Sequence, residues 1–199
     1  MVNSKELGGR KIPESWADIL QPEFEHSVSV PLQDLDMFDA ILLNIQKSYG
    51  EKGLQQLGKA LSASMHPAEM LKSYTKRDLL NKPAVMIMPY FFAVTEPPGN
   101  PFTLVWPKDG AIISPIYLLS KKASKEKNQP FVDFLFSKEV GEIFSGQGRF
   151  PSTHPQVDNN LGDNPKFMWL GWDYINHNNI GALLKRAKEI FYSASKECD

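Results

Sequence analysis

The sequence predicts an α/β protein whose central sheet is mostly parallel and flanked by helices. Segments typical of strands alternate along the chain with segments typical of helices, as they do in βαβ units. Residues 84–88 form a continuous apolar run between two prolines, which is too short for a typical helix and suits a strand covered on both faces. Residues 180–194 place their apolar side chains on one helical stripe.

Caps and apolar spacing predict the N-terminal elements. Ser15 is a suitable N-cap for a short helix, and residues 27–30 alternate like a short strand. A longer helix is predicted to begin at about Asp36, because apolar side chains then recur at helical spacing. Gly50 is a natural C-cap for this helix, since glycine adopts the left-handed conformation that many helix ends require.

The middle of the chain is predicted to continue with helices and then strands. A second helix is expected over residues 54–61, followed by a turn at residues 62–64. Pro67 stands where the first position of a third helix belongs. After the apolar strand, residues 102–106 and 116–119 are further strand candidates.

Helices are predicted to dominate the last third of the chain. Two helices are expected over residues 131–136 and 140–144, where apolar side chains recur at helical spacing. Residues 146–165 are rich in loop-forming residues and predict an irregular connection. The amphipathic stripe of residues 180–194 then predicts the final helix.

Composition excludes several classes of protein. The chain is 42% hydrophobic and 23% charged, which is close to the globular average and excludes disorder as its main state. A net charge of -1 gives no electrostatic reason to expect nucleic-acid binding. Cys198 is the one cysteine, so an internal disulfide and a cysteine-rich zinc site are excluded. Neither a signal peptide nor a membrane-spanning segment is recognisable in these residues.

Two carboxylates lie between a predicted strand and a predicted helix. Asp34 and Asp36 would together hold a divalent cation if their side chains converged, as in a metal-dependent transferase. The alternative is that Asp36 caps the helix and Asp34 is solvated.

A second candidate group precedes the helix that Pro67 begins. Ser62, Ser64 and His66 lie where free amide groups and the helix dipole suit an anion, and His66 is also a possible metal ligand. The alternative is that these side chains only cap the helix.

A third candidate group follows the apolar strand. Tyr90 and Phe91 come where ligands bind in open α/β sheets, just outside the carboxyl ends of the strands. Tyr90 would then act as a hydrogen-bonding group or an oxygen ligand, and the alternative is a core aromatic residue. Aromatic residues also cluster at Trp169 and Trp172, where packing and stacking on a ligand are the two interpretations. No catalytic motif is recognisable in the sequence.

The order of five short motifs resembles a known family. Residues 13–22 read PESWADILQP and are similar to the P-x-S-W-x-D-L-L-x-P stretch of bacterial solute-binding proteins of ABC transporters, type 2, of which the ferric-iron-binding class is most similar. The other four motifs follow in the order of that class: residues 27–31 (SVSVP), 106–110 (WPKDG), 131–139 (FVDFLFSKE) and 148–151 (GRFP).

The resemblance implies a type 2 periplasmic-binding-protein lobe and a ligand cleft. Such proteins have two α/β lobes, joined by hinge strands, that close over a solute. The loops that would face the cleft supply the candidate ligand-binding residues Asp34, Asp36, Met37, Ser62, Ser64, His66, Tyr90 and Phe91. In ferric-binding relatives a Tyr-Tyr pair ligates the iron. Here the pair reads Tyr90-Phe91, so Tyr90, with His66, is the candidate metal ligand.

The resemblance also implies that most of the first lobe is absent from this sequence. Residues 4–108 with 151–199 would form the second lobe, and residues 109–150 the hinge return and a remnant of the first. We expect residues 117–119 and 131–144 to lack their usual partners, and therefore to fold back or to pair with a second chain in a homodimer. The intact receptor would be a periplasmic protein or an extracytoplasmic lipoprotein.

Three functions follow from these observations. The first is the non-enzymatic solute-binding component of an ABC importer, which works with a permease, needs no cofactor and carries a metal ion, a metal complex or a small oxyanion. The second is a stand-alone ligand-sensing or interaction lobe. The third is a metal-dependent transferase that uses Asp34 and Asp36.

Overall fold

The computed structural model describes residues 1–32, 35–75, 82–95 and 99–196. The chain divides into two units, Met1–Ser114 with Pro165–Asp199, and Pro115–Asn164. The predicted division into a second lobe (residues 4–108 with 151–199) and a remnant of the first (residues 109–150) stays a prediction. Each of the two units is described by itself.

A mixed five-stranded sheet forms the centre of the first unit. Its strands are β1 (Val2–Asn3), β2 (Val28–Val30), β3 (Leu61–Ser64), β4 (Val85–Met86) and β5 (Phe102–Thr103), arranged in the order β3-β2-β4-β1-β5. β2 pairs in parallel with β3 and β4, whereas β1 is antiparallel to both β4 and β5. Four strands therefore run in one direction and β1 runs in the other, so the expectation of an α/β fold with a mostly parallel sheet is met.

Helices connect and cover these strands. Those of the first unit are α1 (Trp16–Ile19), α2 (Leu35–Ala60), α3 (Pro67–Met70), α4 (Tyr90–Ala93), α7 (Trp172–His177) and α8 (Ile180–Lys196). A second sheet pairs β6 (Ala111–Ile112) in parallel with β7 (Phe167–Met168). Ser15 caps α1 as predicted, because its hydroxyl oxygen accepts a hydrogen bond from the Asp18 amide at 3.1 Å.

The core lies between the sheet and the pair formed by α2 and α8. Phe38 and Phe191 pack edge to face across these helices with ring centroids 5.2 Å apart. At the margin of this interface, Lys188 and Asp39 form a half-buried ion pair at 2.6 Å. The predicted helix end at Gly50 is confirmed as a break within α2, where the backbone takes φ 67°. Most apolar side chains on which the predictions of α2 and α8 rest are buried: Phe38, Ile41, Leu42, Ile45, Leu54, Leu57, Ala187, Ile190, Phe191 and Ala194.

Two sequence-based expectations about strands are wrong. Residues 62–64, predicted as a turn, belong to β3 together with Leu61, because they pair with β2 and the Ser29 hydroxyl donates to the Ala63 carbonyl at 3.1 Å. Residues 116–119 are not a strand, and the strand of this region is β6, five residues earlier. An apolar run becomes a strand only where a neighbouring strand can pair with it, and Ile116 and Leu119 are 82% and 91% exposed.

The second unit is helical. It contains α5 (Lys125–Leu135) and α6 (Lys138–Gly146), which confirm the two predicted helices, and residues 147–164 form the predicted irregular connection. The large apolar side chains of these helices are exposed, Phe134 being 64% exposed. Whether these segments fold back or pair with a second chain stays a prediction. In the part of the chain that the structure describes, no helix has the length and apolar content needed to cross a membrane.

The contact between α2 and α8 leaves no room for a side chain at Gly58. A Cβ atom at this position would lie 2.5 Å from the Phe191 carbonyl oxygen and 2.9 Å from the Ala194 Cβ. We predict that Gly58→Ala lowers the free energy of unfolding by about 1–3 kcal/mol, because overpacking outweighs the higher helix propensity of alanine.

Gly181→Ala in α8 is the matched control. A Cβ atom there has its nearest neighbour at 3.6 Å, so alanine should leave stability unchanged or raise it by up to about 1 kcal/mol. Chemical denaturation of the two variants measures both values. Equal stability of the two variants would contradict the close helix packing.

Candidate functional site

The parallel strands direct several predicted site residues to one edge of the sheet. β2, β3 and β4 are neighbours and run in the same direction, so their carboxyl ends meet there. β5 runs in the same direction as well, since both β4 and β5 are antiparallel to β1. We call this edge the carboxyl edge and define it by the residues at or just beyond these strand ends: Ser64, His66, Tyr90, Phe91, Phe92 and Trp106. In open α/β sheets this is where ligands bind.

Aromatic contacts join the side chains of the carboxyl edge. His66 packs edge to face on Phe92, with ring centroids 5.9 Å apart. The ring centroids of Phe92 and Phe91 are 4.4 Å apart. Tyr90 packs edge to face on Trp106 at 5.8 Å. The carboxyl edge therefore carries two sets of aromatic contacts, one that joins His66, Phe92 and Phe91 and one that joins Tyr90 and Trp106, and α4 contributes to both.

His66 is the N-cap of α3. Its Nδ1 accepts a hydrogen bond from the Ala68 amide at 3.2 Å, while the Glu69 carboxylate accepts one from the His66 amide at 3.4 Å. The amides of Glu69 and Met70 donate to the His66 carbonyl at 2.8 and 3.0 Å. These amides therefore have partners within the chain, as the capping alternative predicts.

The cap also sets the chemistry that His66 offers. A backbone amide can only donate, so Nδ1 must be unprotonated and the neutral ring carries its hydrogen on Nε2. The side chain is exposed at the carboxyl edge. His66 thus presents an N–H donor, which suits an anionic or carbonyl oxygen of a ligand. Binding a metal through Nδ1 would require breaking the cap.

The remaining predicted site residues take no part in these aromatic contacts. The Ser62 hydroxyl donates to the Val28 carbonyl at 3.4 Å and supports the sheet, whereas Ser64 is exposed at the end of β3. Asp36 is exposed in the first turn of α2, and Met37 is half-buried. Asp34 lies outside the described residues, so the proposed pair of carboxylates stays a prediction. Among the residues that the structure describes, no three side chains are grouped to hold a metal ion.

The two tryptophans near the C-terminus pack on each other. Trp169 and Trp172 meet edge to face at 5.4 Å, and the Lys47 ammonium donates to the Trp169 and Leu170 carbonyls at 3.3 and 2.8 Å. The same ammonium lies 5.4 Å from the centre of the Tyr174 ring. The contact between the two rings agrees with packing, whereas Trp172 is 53% exposed, so both interpretations stay predictions.

Trp106 is a site residue that sequence reasoning missed. Its ring lies between Tyr90 and Phe167, at 5.8 and 5.7 Å, and its Nε1 donates to the Lys166 carbonyl at 2.9 Å. The signal was present in the sequence, because Trp106 ends the predicted strand at residues 102–106 and so belongs with the other carboxyl ends.

Asp109, three residues after Trp106, anchors the adjoining turn. Its carboxylate accepts hydrogen bonds from the amides of Trp16 at 2.9 Å and Ala17 at 3.3 Å. It also accepts one from the Tyr49 hydroxyl at 2.5 Å. Burial raises the pKa of Tyr49 above its ordinary value, and the Asp109 carboxylate raises it further. The hydroxyl therefore stays protonated and remains a donor at neutral pH.

Comparison with known proteins identifies the family. The family model of the bacterial extracellular solute-binding proteins matches residues 1–178. The chain belongs to this family. Family membership confirms, at this level, the predicted binding of a small solute in transport and the predicted extracytoplasmic location. Proteins of this family generally bind solutes for a membrane permease and generally are not enzymes. No curated protein and no solved structure matches the chain.

The raised pKa of Tyr49 predicts how its hydrogen bond depends on pH. In an unfolded chain tyrosine ionises near its ordinary pKa of 10.0, whereas folded Tyr49 ionises at a higher pH. The stabilising contribution is therefore complete below about pH 10 and is lost as pH rises through the folded pKa. At pH 7, Tyr49→Phe should lower the free energy of unfolding by about 1–2 kcal/mol.

Denaturation of the wild type and Tyr49→Phe between pH 7 and pH 11 measures this dependence. The difference in stability between the two proteins should be constant up to about pH 10 and should decrease above it. Because the other tyrosines are common to both proteins, their ionisation cancels in the difference. A difference that does not decrease would contradict the assigned hydrogen bond.

Proposed function

We propose that this chain is the ligand-binding part of an ABC-importer receptor and that it holds its solute at the carboxyl edge. The observation that carries the proposal is the presence of two sets of aromatic contacts, His66 with Phe92 and Phe91, and Tyr90 with Trp106, beyond carboxyl strand ends of one sheet. Family membership supplies the solute and the permease as partners. On this proposal the chain has no catalytic activity and requires no cofactor.

The strand order supports a type 2 binding-protein lobe. Four strands run in one direction, and the antiparallel β1 is inserted between β4 and β5. The exposed apolar side chains of α5 and α6 further support a chain that works as part of a larger receptor, which would cover them. We propose a periplasmic or lipoprotein form of that receptor.

The donor set favours a small oxyanion or an anionic metal complex over a bare metal ion. Tyr90 is the one phenol of the pair, since Phe91 occupies the second position. The Nδ1 atom of His66 is used by the cap, and the Nε2–H can only donate. A hydrogen-bond donor, a phenol and flanking aromatic rings together suit an anion that carries an apolar or planar group. We therefore do not propose that the chain binds a bare ferric ion.

A thermal-shift screen of the wild type tests the proposal. The panel is phosphate, sulfate, alkyl- and arylphosphonates, dicarboxylates, citrate, Fe³⁺, Zn²⁺ and ferric citrate. We expect an anionic compound to raise the melting temperature, because a ligand that binds only the folded state stabilises it. The affinity of that compound for each variant is then measured by calorimetry.

Three variants locate the binding site. His66→Ser keeps an N-cap but is too short to place a donor where Nε2 lies, and Tyr90→Phe removes only the hydroxyl. Each should weaken binding about 10- to 100-fold, the effect of one hydrogen bond to a charged group, with little change in the melting temperature of the free protein. Tyr192→Phe, in α8 and outside the carboxyl edge, is the matched control and should bind like the wild type. A panel without a stabilising compound, or unchanged affinity in the first two variants, would contradict the proposal.

A further inference from the structure

The position of Trp106 depends on the turn that follows it. Its ring has edge-to-face contacts with Tyr90 and Phe167, at interplanar angles of 76° and 85°. The hydrogen bond from Nε1 to the Lys166 carbonyl fixes the rotation of the ring. The Ala111 amide donates to this same carbonyl at 3.0 Å, so Trp106 and the backbone beyond the turn share one acceptor.

The turn itself allows little movement between Trp106 and Asp109. Pro107 restricts its own backbone, and the Gly110 amide donates to the Pro107 carbonyl at 3.0 Å. Gly110 takes φ 118°, and a Cβ atom there would lie 2.7 Å from the Phe167 backbone carbon. The turn therefore lies directly against the residue whose ring contacts Trp106.

Asp109 connects this turn to two helices that are distant in sequence. Its carboxylate receives the Tyr49 hydroxyl from α2 and the amides of Trp16 and Ala17 from α1. Trp16 adds a buried bond from its Nε1 to the Gly110 carbonyl at 2.9 Å. By contrast, the ion pair between Lys108 and Glu14 is exposed. Among these contacts, the carboxylate of Asp109 is the acceptor common to both helices.

We propose that Asp109 is a positioning residue for the ligand site, which acts by holding the Trp106 ring against Tyr90. The carboxylate fixes the turn to α1 and α2, and the turn fixes the tryptophan. Trp106 then limits the space beside Tyr90 and contributes to the choice of solute. The statement about solute choice rests on the proposed function, whereas the statement about the position of Trp106 does not.

Fluorine NMR of protein labelled with 5-fluorotryptophan tests the position of Trp106. The chain has four tryptophans, so four resonances are expected, and Trp106→Phe assigns one of them. In Asp109→Asn and in Tyr49→Phe the Trp106 resonance should shift or broaden, while those of Trp169 and Trp172 stay in place. Glu14→Gln removes the exposed ion pair of the same turn and should leave the Trp106 resonance unchanged.

The outcomes separate this proposal from a merely structural role. If the Trp106 resonance is unchanged in both variants while the melting temperature falls, Asp109 only stabilises the fold and the proposal is wrong. If Asp109→Asn does not fold, the resonance in Tyr49→Phe alone decides, because that variant removes one hydroxyl. A shift in Glu14→Gln equal to that in Asp109→Asn would also overturn the proposal.

A binding measurement distinguishes this proposal from the proposed function. The best anionic compound of the panel should bind Asp109→Asn at least 10-fold more weakly than wild type, at a temperature where both are folded. Unchanged affinity would overturn the role of Asp109 in solute choice. If no compound binds the wild type, the proposed function fails, and the fluorine spectra still decide whether Asp109 positions Trp106.

Discussion

The parallel pairing of β2 with both β3 and β4 determines how the rest of the first unit is arranged. Parallel neighbours cannot be joined by a tight turn, so the chain must cross over between them, and α2 and α3 occupy these crossovers. The same pairing brings three carboxyl strand ends to one edge. The His66 ring contacts Phe92, two residues after Tyr90, for this reason, although 26 residues separate His66 from Phe92 in sequence.

The carboxyl edge combines two kinds of constraint. The cap of α3 determines which nitrogen of His66 can face a ligand, because the Ala68 amide occupies the other. Asp109 determines where the turn after β5 lies, through bonds to α1 and to Tyr49. Local hydrogen bonding thus sets the chemistry that His66 offers, and contacts over long sequence distances set the position of the turn that follows Trp106. In the proposed function, both constraints act on the same small anionic solute.

Periodicity predicted α2 and α8 well because burial follows it in these two helices. The sequence predicted the apolar stripes of α2 and α8 and the break at Gly50, because each depends on residues within a few helical turns. β3 was missed because its small residues are turn-like by propensity and become a strand only by pairing with β2. The hydrogen bonds that the Asp109 carboxylate accepts could not be predicted, for the same kind of reason. Its partners Tyr49 and Trp16 lie 60 and 93 residues away, and no local pattern records such contacts.

The central claim is that a solute binds at the carboxyl edge of this sheet. Hydrogen–deuterium exchange of the wild type, with and without a saturating anionic compound that stabilises it, tests this claim most directly. We predict slower exchange in residues 61–68, 87–95 and 104–110, where the strand ends and their aromatic side chains would contact the solute. Exchange in the middle of α8 should not change. Protection confined to α8 and the part of α2 packed on it, with none at the strand ends, would contradict the account.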